Sequence, residues 1–228
     1  MCRPSKRDRS DKKKNARSHN VVRASRTISP AAAAVELVPK DGLAPLDPRE
    51  LFPREAPLEL DIGCGDGAYL AALAQQNPQH NFLGIDRLAG RIRSACNKIA
   101  HGQLTNARLL LADANYAVTY LLPEGSVTAF HILFPDPWPK RRHHHRRVLK
   151  KNFCCSLALA LTERGVVRIA TDQPDYFAEI ERAFRASGSF AAVEISDEPM
   201  AVTTFERHFR NAGAAIYRLL LRKIAPPR

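Results

Sequence analysis

The chain has 228 residues, 45% of them hydrophobic, with 35 Lys or Arg against 23 Asp or Glu and a formal net charge of +12 at pH 7. That length and apolar content suit one α/β domain burying roughly 70% of its unfolded surface, with a tail. The charge predicts an anionic partner, and nucleic acid is the better candidate. No apolar run approaches the ~18 residues of a spanning helix, and the charged amino terminus lacks the apolar stretch of a secretory signal, so no membrane partner and a cytoplasmic protein are expected.

Residues 1–30 hold ten Lys or Arg against Asp8 and Asp11, with almost no large apolar residue. Such a segment cannot bury enough surface to fold alone and predicts a disordered basic arm. Removing its +8 leaves +4 on the rest, so most of the excess charge is placed in the arm. An arm of this kind adds salt-sensitive affinity for nucleic acid, or serves as a solubilising tail or an organellar transit peptide, the last disfavoured by the two Asp residues. Residues 31–57, with prolines at 39, 45, 48, 53 and 57, read as an extended lead-in to a domain over 58–228.

Residues 58–62 predict the first strand, running into Gly63, Cys64, Gly65, Asp66 and Gly67 and then a helix with Leu70, Leu73 and Ala74 on one side. Strand, glycine turn and helix open a doubly wound nucleotide-binding sheet, and the glycines let a ligand approach the backbone. The spacing is GxGxG rather than the GxGxxG of dinucleotide binders. Asp61, two residues before the first glycine, suits an ammonium group and would repel phosphate. Residues 82–85 predict a second strand ending in Asp86, where an acid accepts ribose hydroxyls. A third, 107–111, leads to Ala112 and Asp113, where a carboxylate can accept from an adenine amino group. Ammonium, ribose and adenine together describe S-adenosylmethionine. Between these strands Leu88, Ile92, Cys96 and Ile99 keep helical spacing.

Residues 127–134 predict the fourth strand, which lies beside the first where strand order reverses and ligands bind. It ends in Pro135, Asp136, Pro137, Trp138 and Pro139, a loop with few conformations to lose. Lys140, Arg141, Arg142, three histidines, Arg146 and Arg147 follow directly. This density of positive charge repels itself unless something anionic lies across it. The reading is that Asp136 handles a reacting base, Trp138 shapes its pocket and the strip 140–147 grips phosphates. Adjacent histidines point apart, and the five cysteines have no CxxC spacing, so neither a metal site nor a disulfide framework is expected.

Asn152 is placed as the cap of a helix carrying Phe153, Leu157 and Leu161 and stopped by Gly165. Residues 166–170 predict the fifth strand, ending at Thr171 and Asp172. Pro174 starts a helix burying Phe177, Ile180 and Phe184. Residues 190–195 and 215–221 predict an antiparallel closing pair. Their connection contains TTFERHFR, either a plain loop or short helix, or a lid over the substrate.

With these motifs in hand, the chain resembles the bacterial tRNA (guanine-N7)-methyltransferases over residues 58–223. The most specific segment is FPDPWPKRRHHHRR; LDIGCGDG, GID, NARLLLADA, ATD and TTFE support it. The resemblance implies the Rossmann-like class I methyltransferase fold, a mostly parallel seven-stranded sheet with helices on both faces. It implies methyl transfer from S-adenosylmethionine to N7 of guanosine 46 in the variable loop of tRNA, leaving S-adenosylhomocysteine. Asp61, Asp86, Asp113 and Asp136 correspond to cofactor-lining acids, with the glycines Gly63, Gly65 and Gly67 beside them, and Asp136 is also the catalytic candidate. Lys140, Asp172 and the turn Thr203, Thr204, Phe205 and Glu206 correspond to substrate contacts. The family usually has glutamate at 61 and 86, lysine at 204 and glycine at 208. Two other readings stay open on the residues alone: an amino-methyltransferase acting on an exocyclic nitrogen of another base, and a non-catalytic RNA-binding module.

Overall fold

The structure, a computed structural model, describes residues 28–39, 44–194, 206–207 and 211–224. Among them one sheet holds eight strands: β1 (Glu36–Leu37), β2 (Leu58–Ile62), β3 (Asn81–Asp86), β4 (Ala107–Leu111), β5 (Val127–Leu133), β6 (Leu161–Thr171), β7 (Phe190–Val193) and β8 (Tyr217–Lys223). Their spatial order is β1-β4-β3-β2-β5-β6-β8-β7. Pairings are parallel from β1 across to β6, whereas β8 lies antiparallel between β6 and β7. From β2 the chain winds outward first through β3 and β4, then returns to β5 on the other side. The crevice above the carboxyl ends of β2 and β5 is therefore the switch point of the sheet, where ligands bind in this architecture.

The strands are apolar because helices cover both faces; β3 is buried at every position. On one face, α3 (Ala68–Gln76) and α4 (Ala89–His101) bury Leu70, Leu73, Ile92, Cys96 and Ile99 against Phe82 and Leu109. On the other, α5 (Ala114–Tyr116) and the π turn Ala117–Leu121 are followed by α6 (Lys151–Ala160) and α7 (Pro174–Ser187). They pack Val118, Phe153, Leu157, Tyr176 and Ile180 onto Leu60, Ile85, Phe130 and Ile132. No described helix is long and apolar enough to cross a membrane.

Several boundaries depart from the sequence reading for identifiable reasons. The eighth strand, β1, comes from the lead-in, and two prolines, one closing the arm and one in the lead-in, start helices rather than extend the chain. Pro30 opens α1 (Pro30–Ala33) behind the cap Ser29, and Pro48 opens α2 (Pro48–Leu51) behind Asp47. Helix α6 stops at Ala160, and β6 begins at once. Its ladder with β5 breaks between Val127↔Leu161 and Ala129↔Val166, so Gly165 belongs to a bulge instead of a helix end. A Cβ there would lie 2.7 Å from the Leu161 side chain. The cap of α6 is Lys150, not Asn152, and no side chain bonds to its first turn. In α7 the buried stripe is Tyr176, Ile180 and Phe184, in 4-residue steps, while Phe177 stacks on Tyr217 at 5.4 Å. Leu88 precedes α4 and is exposed. The arm expected over 1–30 lies outside the described residues except for 28–30, and so do Thr203, Thr204 and Phe205.

Candidate active site

Between β2 and α3 the chain turns through Gly63, Gly65 and Gly67 at φ of 77°, 58° and 73°, left-handed conformations that side chains resist. The amides of Gly63 and Cys64 both donate to the Ile85 carbonyl, at 2.8 and 3.0 Å. Asp86 fastens the loop from the neighbouring strand. One carboxylate oxygen accepts from the Gly65 amide at 3.1 Å and the other from Leu88 at 2.9 Å. The three glycines have different reasons to be glycine. Gly63 faces open space, whereas a Cβ on Gly67 would lie 2.6 Å from the Ala95 methyl, so Gly67 sets how closely α3 meets α4.

Asp61 is buried, and no group of the described residues donates a hydrogen bond to it. Burial, with the negative charge of Asp86 adding to it, pushes its pKa up to about 7. Opposite Asp61 in the ladder stands His131 on β5. His131 joins a buried polar chain: its Nε2 lies 2.7 Å from Glu59, its Nδ1 lies 2.9 Å from the Tyr69 hydroxyl, and His80 reaches the other Glu59 oxygen at 2.6 Å. Burial opposes ionisation of Glu59, but the hydrogen bonds from His131 and His80 outweigh it and hold the carboxyl at about 2. Burial lowers the pKa of His131. A neutral ring must donate from Nε2 to the carboxylate, which leaves Nδ1 to accept from Tyr69.

At the end of β5 the proline loop is held by its backbone. Phe134 and Trp138 adopt φ of 51° and 44°, costing about 1–2 kcal/mol each. The Phe134 amide donates to Ala170 on β6 at 2.7 Å. Over the Trp138 ring lies the Arg146 guanidinium, 4.9 Å from its centre, and His143 meets the ring edge-on at 5.9 Å. The basic run forms a 3-10 helix, Arg141–Arg146. Its last cation is not part of an outward strip as the sequence suggested. Arg147 is buried, with Nε donating to the Pro137 carbonyl at 2.7 Å, Nη1 2.6 Å from Glu179, and its charge 4.7 Å above the Tyr176 ring. His144 also turns toward Glu179, at 3.5 Å. Arg141, Arg142, His145 and Arg146 remain exposed.

These loops enclose a cavity of about 430 Å³, within the range of small-molecule sites. Gly63, Asp86, Leu88, Asp113, Asp136 and Trp138 contribute to its wall. Asp136 is exposed, its carboxylate 3.9 Å from the Arg87 guanidinium. Asp113 caps α5 by accepting from Tyr116 at 3.1 Å. Of the other residues singled out in the sequence, Asp61, Gly65, Gly67, Lys140 and Asp172 do not line it. Asp61 and Gly65 lie beside it through Ile62 and Asp86. Lys140 is exposed ahead of the 3-10 helix, and Asp172 accepts from the Gln173 amide group at 2.6 Å. Glu206 is buried and ion-paired with Arg218. Arg87 and Arg91 line the cavity and were missed, and Arg146, expected in the phosphate strip, lines it as well. For Arg87 the signal was present, since it directly follows the strand-tip acid Asp86.

The profile of the family described as "Putative methyltransferase" matches residues 55–219. The chain is 34% identical over 197 residues to the tRNA (guanine-N(7)-)-methyltransferase of Nitrosomonas europaea, covering 83% of this chain and 88% of that one. It is also 34% identical over 183 residues to the protein of the same name from Thermotoga maritima; the match takes in 79% of this chain but spans 58% of that protein. Among solved structures, the 16S rRNA methyltransferase KamB superposes with a TM-score of 0.58 at 21% identity, over 78% of this chain and 92% of that one, a likeness of fold. On the profile and the identity carried across most of the Nitrosomonas europaea protein, this chain belongs to the tRNA (guanine-N(7)-)-methyltransferase family.

Proposed function

We propose that the cavity takes S-adenosylmethionine and that the loop of Asp136 presents N7 of guanosine 46, in the variable loop of tRNA, to its methyl group. The observation that carries this reading is the meeting of strand-tip acids Asp86 and Asp113 with Asp136 in one cavity. The residues fit the cofactor. Asp61 is a buried carboxylate lacking a donor among the described residues, which an ammonium group would satisfy. Gly63 leaves open space for close approach. Asp86 spends its oxygens on two amides, yet a carboxylate retains lone pairs for a ribose hydroxyl. When bound, S-adenosylmethionine supplies an electrophilic methyl group on a sulfonium.

Guanine N7 already carries a lone pair, so no residue has to remove a proton from it. The chain's task is alignment, which can lower the barrier by about 7–11 kcal/mol. Asp136 accepts from the guanine N1 and N2 hydrogens and fixes the ring in its plane. Trp138, held between Arg146 and His143, walls the same side. Lys140, Asp172 and the segment 203–206 are assigned to contacts with the tRNA.

Incubation with labelled S-adenosylmethionine and unmodified tRNA, followed by nuclease digestion, tests the assignment. The expected product is 7-methylguanosine at position 46. N6-methyladenosine would favour an amino-methyltransferase, and tRNA binding without transfer would favour a binding module.

A further inference from the structure

Three guanidinium groups stand in the wall of the cofactor cavity, those of Arg87, Arg91 and Arg146. Two of them are engaged on their own side: Arg91 lies 3.6 Å from Asp86, and Arg146 covers the Trp138 ring. Arg87 reaches across instead. It directly follows β3, its partner Asp136 stands in the loop after β5, and β2 with its glycine turn lies between those two strands. Among the described residues, this is the one ion pair that joins the two sides of the cavity.

The contact supplies Asp136 with something its own loop does not. Pro135, Pro137 and the bond from the Phe134 amide to Ala170 fix the loop backbone, but they leave the two side-chain torsions of Asp136 open. Its carboxylate is 67% exposed, and Arg87 is its one charged partner among the described residues. A carboxylate that is to meet the N1 and N2 hydrogens of one guanine in the plane of the ring needs both torsions set. At 3.9 Å the Arg87 contact is longer than a hydrogen bond, so it draws the carboxylate over the crevice without occupying the lone pairs that the base would use.

We propose that Arg87 is a positioning residue for methyl transfer, acting through Asp136 by holding that carboxylate across the crevice to face the incoming guanine. The proposal rests on the tRNA reading above and gives the β3 side of the cavity a part in orienting the base. An exposed ion pair by itself changes an equilibrium by up to about fivefold. Entry of the base displaces water from the cavity mouth, and the same pair then acts through a lower dielectric and orients more strongly.

The test is a double-mutant cycle of Arg87→Gln and Asp136→Asn, read both as single-turnover methyl transfer and as affinity for unmodified tRNA with S-adenosylhomocysteine bound. In the wild-type background Arg87→Gln should slow transfer by about fivefold to tenfold and weaken tRNA binding by about twofold to fivefold. In the Asp136→Asn background it should change each by less than about twofold. The binding arm keeps the cycle readable where transfer by Asp136→Asn is too slow to follow. Arg87→Lys should recover at least about half of the rate, because a contact at 3.9 Å needs the charge and not the guanidinium fork. Affinity for S-adenosylhomocysteine without tRNA should stay within about twofold in every variant. Equal losses in both backgrounds would overturn the proposal and mark a direct contact of Arg87 with the RNA. A fall in S-adenosylhomocysteine affinity would overturn it too, as would an Arg87→Gln protein with wild-type transfer and binding. A wild type that methylates tRNA without coupling between the two residues refutes only this assignment, whereas a wild type that does not methylate tRNA refutes the functional reading itself.

Discussion

Arg147 donates from Nε to the Pro137 carbonyl at 2.7 Å, so the residue that ends the basic run braces the loop that precedes it. Its charge is consumed inside the protein by Glu179 and the Tyr176 ring. Replacing it with methionine removes the hydrogen bond and the ion pair from a buried position. We expect Arg147→Met to lose on the order of 2 kcal/mol in urea unfolding and to slow methyl transfer by loosening the loop of Asp136. Arg147→Lys should recover little, because an ammonium cannot reproduce the guanidinium fork. A variant with wild-type stability would show that the brace contributes nothing to folding.

Asp61 predicts a particular pH dependence. Its folded pKa, about 7, is above the ordinary 3.8, so burial of its charge costs nothing below about pH 4. The cost grows as pH rises and is complete above about 7. Asp61→Asn should therefore match the wild type near pH 4 and be the more stable protein at pH 8, in thermal unfolding without cofactor. An ammonium ligand reverses the preference. Affinity for S-adenosylhomocysteine should fall about tenfold per pH unit below 7 in the wild type, and be weak and flat in Asp61→Asn. A wild-type affinity independent of pH between 5.5 and 7 would remove Asp61 from ammonium binding.

The buried chain of His80, Glu59, His131 and Tyr69 ties α3 to β2 and β5 beneath the glycine loop. Glu59 has the opposite sign from Asp61. Its folded pKa, about 2, is below the ordinary 4.5, so its stabilisation is present above about pH 4.5 and lost as pH falls toward 2. Acid unfolding of the wild type should show this loss, and Glu59→Gln should lack it while being less stable at pH 7 by on the order of 2 kcal/mol. Equal acid profiles for the two proteins would mean that the chain contributes nothing to folding.

The site was legible in the sequence where a backbone requirement and a chemical one coincide. Gly63, Asp86 and Asp113 stand at strand tips, and the doubly wound topology brings every such tip to one rim. Asp136 could be placed there because β5 neighbours β2. Orientation within a run was not legible. Arg146 and Arg147 look alike in sequence, yet one covers Trp138 and the other is buried, because the 3-10 helix ends between them and turns the second side chain inward. Strand β1 was missed because two residues of pairing carry no periodicity, and the bulge at Gly165 because it places a glycine inside a strand where a helix end uses one as well.

Asp136 is assigned to orient the reacting guanine while other residues hold the donor. Single-turnover methyl transfer by Asp136→Asn with unmodified tRNA, alongside S-adenosylhomocysteine binding, tests it most directly. Loss of charged hydrogen bonds to the base, about 1.5–3 kcal/mol each, predicts transfer slower by roughly 100-fold or more with ligand affinity within about twofold. A variant that transfers methyl at the wild-type rate would contradict the account.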